Sequence, residues 1–233
     1  MTTKKLPKIW LICIASIALS LTIFFSAACQ AQSSDSTKNG TKLFFQKLVG
    51  EWIGTCEQNT DGQKAEDKYF HMLIEQVDEN NFSGYLEYFR CDPKNGSPIP
   101  MGKSTIAVAI GSDGNATSSI TGKGIVMVDK KPKNQEHKLS DVLTCMDSGC
   151  LKGKGGGTIS VDGMPFGVGK NGKIKNAEST WSIENGTFTM NQAITVGFKV
   201  LIFKKNVKFD ARYTATHGTD VASLMQNAYA SLH

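Results

Sequence analysis

The chain has 233 residues, enough for one large β domain or two small ones. Its formal net charge is +5, and three of the lysines behind that figure, Lys4, Lys5 and Lys8, precede the apolar run at 9–25. Without residues 1–28 the balance falls to +2, which excludes a strong field for nucleic acid or acidic lipid. The remaining lysines are scattered and read as a solvated surface.

Residues 1–28 read as a signal sequence: a basic start, the uncharged run "IWLICIASIALSLTIFF", then small residues. An uncleaved membrane anchor is the rival, but 17 residues is at the short end for a spanning helix. Ser26-Ala27-Ala28-Cys29 resembles a bacterial lipobox, with Ser26 in place of the usual leucine. That resemblance implies a diacylglyceryl anchor on Cys29, holding the protein to a membrane and facing the periplasm. Ser26 and Ala28 also fit an ordinary signal peptidase, which would leave a secreted protein. Residues 29–41 are polar and small and read as a tether, leaving residues 42–233 as one folded domain.

A short helix is expected over 41–49, "TKLFFQKLV". Strands follow at 51–57, 68–77, 82–90, 104–110, 117–128, 142–146, 157–161, 179–184, 187–195, 198–204 and 207–216, separated by turns such as Asn185-Gly186. The glycine-rich stretch 153–172 reads as a loop or irregular hairpin. Residues 219–232 form a last helix, opened by Thr219 and Asp220 as capping residues. About ten antiparallel strands in one domain predict an all-β, up-and-down barrel of 8–10 strands, plugged by the first helix and followed by the last.

Cys56, Cys91, Cys145 and Cys150 remain after the signal and Cys29. An even number in an oxidising compartment predicts two disulfides, Cys145–Cys150 across a turn and Cys56–Cys91 by remainder. Zinc is disfavoured, since the spacing in "CMDSGC" fits no common site.

Gly50-Glu51-Trp52, after a short helix and on the first strand, resembles the opening of the lipocalin-like (calycin) barrels. The resemblance implies that Trp52 seals the closed end and that Arg212, on the last strand, stacks across its indole. Ten strands where eight are usual, and the glycine-rich stretch, depart from that family. Gly50–Gly54 is also similar to the start of ten-stranded barrels of the nitrobindin type, which implies haem binding through a histidine near the C-terminus, here His217.

"GSPIPMGKST" at 96–105 has five residues where a phosphate loop has four between its glycines, and its prolines lack the N–H donors such a loop needs. No set of serine, histidine and carboxylate stands out as catalytic, and no metal spacing appears, so an enzyme is disfavoured. The function expected is therefore binding of a small apolar molecule, through Phe70, Met72, Tyr85, Tyr88, Phe188 and Phe198, with no cofactor unless haem. The alternative is an envelope protein–protein interaction module with a filled core. A cavity of about 300 Å³ or more separates the two. Oligomeric state is not legible in the sequence.

Overall fold

Alternation puts every second side chain of a strand on one face, and here one long sheet closes so that this face becomes an interior. The computed structural model describes residues 34–64, 68–128, 131–147, 149–162, 168–200 and 203–230. Residues 1–33, with the predicted signal sequence and Cys29, lie outside the described residues. Helix α1 (Ser34–Leu48) leads into β1 (Gly50–Thr60), the two-residue β2 (Gln63–Lys64), β3 (Lys68–Gln76), β4 (Asn81–Cys91), β5 (Pro98–Ile110) and β6 (Ala116–Val128). Then come β7 (Lys131–Asp147), β8 (Cys150–Val161), β9 (Val168–Glu184), β10 (Thr187–Val200), β11 (Phe203–His217) and helix α2 (Val221–Ala230).

Each long strand pairs antiparallel with its sequence neighbour, and β11 returns to β1 with Trp52 opposite His217 and Thr60 opposite Phe209. The result is a closed ten-stranded up-and-down barrel. The Asn185-Gly186 hairpin forms as expected, both residues having the positive φ of a tight turn (51° and 76°).

α1 starts at Ser34, so residues 34–41, expected in the tether, belong to the helix. It lies across one end of the barrel and packs chiefly on β7. Phe44, Phe45 and Leu48 are fully buried there, and Thr41 donates to the Gly114 carbonyl at 2.7 Å. A helix C-terminus leaves carbonyls without intrahelical donors; the indole Nε1 of Trp52 satisfies that of Leu48 at 2.9 Å. The ring of Trp52 meets Phe188, which meets Trp181, which meets Phe45, all at centroid distances of 6.0–6.3 Å. These rings fill the closed half.

Arg212 does not stack on Trp52. The register sets it opposite Glu57 and Asn191, five residues along β11 from the partner of Trp52, and alternation turns it to the outer wall. His217 occupies the expected position, its ring centroid 3.8 Å from that of Trp52 and inclined at 31°. Gly54 does allow the close approach expected of it: a Cβ there would collide with the Thr214 carbonyl and Ala215 of β11.

The two predicted disulfides are not formed. Cys56 points inward from β1, whereas Cys91 ends β4, two strands away. That is about 9.6 Å between backbones at the usual spacing, beyond the reach of a bridge. Cys145 pairs with the buried Leu151 and faces in, so alternation turns Cys150 out. The thiol of Cys145 donates to the Asp147 carbonyl at 3.0 Å and lies against Gly40 of α1.

The strand expected at 157–161 begins earlier, and 153–156 is strand too: β8 continues through Gly153, Gly155 and Gly157. At the other terminus, Asp220 caps α2 by accepting from the Ser223 backbone N–H at 2.9 Å. Val221 and Met225 pack that helix onto the barrel, and it contacts β1, β3 and β5.

Replacing Trp52 by Ala should cost about 3–5 kcal/mol in chemical denaturation. In a double-mutant cycle, Trp52→Phe and His217→Ala should couple by about 0.5–1.5 kcal/mol. Trp52→Phe and Arg212→Ala should simply add.

Candidate functional site

At the end opposite α1 the barrel holds a cavity of about 420 Å³. The strand registers explain it layer by layer. One layer runs Ile106, Ile120, Leu139, Gly157, Ile174 and Val196 across six strands. All but the glycine are aliphatic, and four of them, Ile120, Leu139, Ile174 and Val196, line the cavity. Met190, Ile194 and Phe209 complete the apolar lining from β10 and β11.

The next layer toward the mouth runs Leu86, Ser104, Gly122, His137, Ile159 and Gly172. Ser104 and His137 stand two strands apart, yet the Ser104 Oγ lies 3.2 Å from the His137 Nε2. Gly122 makes this contact possible. A Cβ on Gly122 would overlap the Ser104 hydroxyl and stand 2.7 Å from the His137 Cε1. Burial lowers the pKa of His137, so the ring is neutral at pH 7. The Gln135 side-chain amide meets its Nδ1 at 3.5 Å. The two contacts hold the ring between Gln135 and Ser104.

On the β1 side the Tyr88 and Tyr213 hydroxyls meet at 3.3 Å. Burial raises the pKa of both phenols, and Tyr213 is hydrogen-bonded to Cys56 as well. Near the mouth Arg90 lines the cavity from β4, and its buried Nε–H has no acceptor among the described residues.

Below the cavity, between it and the aromatic plug, sits a second polar layer. Asp141 on β7 is 1 % exposed and faces Ser118 of β6 across the register. Its carboxylate lies over Gly155, where a Cβ would collide with it. Neither Asp141 oxygen nor the Ser118 hydroxyl has a hydrogen-bond partner among the described residues. Burial raises the Asp141 pKa from 3.8 to about 6.

Of the six residues expected to bind ligand, only Tyr88 lines the cavity. Phe70, Met72 and Phe188 are core. Phe198 is buried over Gly172 beside Val196, outside the lining. Tyr85 is a correction: alternation turns it to the outer wall, where the Lys103 ammonium sits 3.9 Å over its ring and His71 meets it edge-on. His71 is an outer-wall residue too, 3.0 Å from the Glu51 carboxylate. His217 lies at the closed end on Trp52, a barrel length from the cavity, so the cavity histidine is His137. Arg212 lies on the outer wall in a shallow depression with Glu57, Glu178 and Asp210.

The geometry can therefore enclose a compact apolar molecule and offer it a few fixed polar contacts. No protein-family model matches the chain, and no curated protein matches it. Among solved structures it is similar to Rv2717c from M. tuberculosis, at 6 % identity and a TM-score of 0.49, covering 77 % of this chain and 98 % of that one. So slight a likeness carries no inference about function.

Two substitutions test the polar layers. Between pH 4 and 6 folded Asp141 holds a proton that the unfolded chain releases, so stability falls as pH rises through that window and stays lower above it. Asp141→Asn should then be more stable than the native protein at pH 7, by up to about 3 kcal/mol, with the difference gone by pH 4. Urea denaturation at both pH values measures this. Gly122→Ala should separate Ser104 from His137 and cost about 1–3 kcal/mol. The His137 ring resonances in NMR should shift with it.

Proposed function

We propose that the protein is a binding protein for a small, mostly apolar molecule that enters through the open end of the barrel. The observation that carries this reading is the cavity itself. Its volume of about 420 Å³ falls in the range of small-molecule sites, and its lining surface is mostly apolar, with polar groups converging on it. An interaction module with a filled core would have no such space. Ser104, His137 and the tyrosine pair supply the orienting contacts, while Leu86, Ile120, Leu139, Ile174 and Val196 supply the apolar contact.

The N-terminal sequence supports a setting at a membrane through acylated Cys29. With α1 covering the closed end, the mouth is the side left for exchange.

Ile120→Trp should fill the cavity from its wall. Binding of the neutral fluorescent probe N-phenyl-1-naphthylamine should weaken at least about tenfold, equivalent to about 1.4 kcal/mol, while the far-UV spectrum stays that of the native barrel. Undiminished probe binding would remove the cavity as the site. Separately, Cys29→Ser should move the protein from the membrane fraction to the soluble fraction in its host. Unchanged fractionation would remove the lipid anchor.

A further inference from the structure

We propose that Arg90 reads the head group of the ligand, and that the ligand is an aliphatic carboxylate, its chain along the apolar wall and its carboxylate at Arg90. This rests on the cavity reading above and adds to it the ligand's charge and orientation.

Three observations lead there. First, the Arg90 Nε–H is buried without an acceptor among the described residues. A buried guanidinium donor left unpaired is costly, and a ligand acceptor would remove that cost. The Nε edge of a guanidinium also presents two parallel donors, the geometry that a carboxylate accepts bidentately.

Second, among the described residues the charge facing the cavity is of one sign. Cys56 points in and pairs with Lys68, so Lys68 points in too. Arg90 follows it one step beyond the Tyr69–Phe89 pair on the adjoining strand. The other charged lining residues belong to the outer wall. Lys123 pairs there with Glu136 at 2.9 Å, and Asp210 is exposed between the inward Phe209 and Ala211. Among the described lining residues, no acidic side chain is turned inward to neutralise Arg90.

Third, along β4 the lining passes from Arg90 at the mouth end through Tyr88 to Leu86, while Ile120, Leu139, Ile174, Ile194 and Val196 give an apolar wall on β6, β7, β9 and β10. An amphiphile with its head group on Arg90 lays its chain along that wall.

Displacement of N-phenyl-1-naphthylamine by decanoate, decanol and decylamine tests the proposal. The native protein should take decanoate about tenfold more tightly than decanol, and decylamine most weakly. In Arg90→Gln the ratio of decanoate to decanol affinity should fall to about one, and a native far-UV spectrum and urea-unfolding midpoint show that the variant is folded. Arg90→Lys should keep part of the preference, having the charge without the fork. Equal binding of decanoate and decanol by the native protein would overturn the head-group assignment and leave the apolar cavity standing. So would a preference that survives in Arg90→Gln. Failure of the probe and of all three amphiphiles to bind would overturn both readings.

Discussion

Ten strands closed on themselves enclose more room than ordinary side chains fill; about eight is the number at which a barrel interior just closes up. Everything inside this protein answers that excess of space. In the closed half it is taken up by large rings, Trp52, Trp181, Phe188, Phe45 and Phe82, and by a helix brought in over them. Trp52 joins the two parts, since its ring packs in the barrel and its N–H ends the helix at Leu48. In the open half the inward residues are no larger than isoleucine or methionine over much of the wall, and several are glycine. The cavity is what that choice of side chains leaves.

The inward glycines also let polar groups share the interior. Gly122 brings a serine and a histidine together over an intervening strand, and Gly155 makes room for the Asp141 carboxyl. A buried carboxyl without a partner is destabilising, which is visible in its raised pKa. His137 is treated differently, held neutral and hydrogen-bonded on both nitrogens. The barrel thus has two polar layers of opposite quality, one satisfied and lining the cavity, the other strained and beneath it.

The fold was legible where one face of a strand is apolar. "WSIENGTFTM", "TIAVAI" and "VKFDARYTAT" alternate cleanly, and they form the β9–β10 hairpin and parts of β5 and β11. The misread segments are those whose inward face is not apolar. β7 was recognised only at 142–146 because its earlier inward positions include Gln135, His137 and Asp141. β8 is legible only at 157–161, because its inward positions Gly153 and Gly155 carry no side chain to show the alternation. These are also the segments that build the cavity wall and its polar layers, so the candidate site was hidden for the same reason as the strands. His137 could have been found by extending the every-second-residue series back from Leu143 through Asp141 and Leu139. Of the aromatic residues favoured instead, Phe188 belongs to the plug, Phe70 and Phe198 to the core and Tyr85 to the outer wall, and only Tyr88 reaches the cavity. The exchange of Arg212 for His217 turned on strand register, which composition does not reveal.

The seam between β1 and β11 joins the two ends of the barrel: Trp52 is opposite His217, so every other barrel strand lies in the loop this pairing closes. Every other long-strand pairing in the barrel joins sequence neighbours and can form as a hairpin. The seam alone must wait for the last strand, and until then both edges of a nine-strand sheet offer unpaired N–H and C=O groups to any other strand. A chain ending before about residue 210 would therefore be a sheet with two adhesive edges rather than a slightly shortened barrel. Aggregation of nascent or clipped chains, more than loss of ligand, is the vulnerability this topology carries.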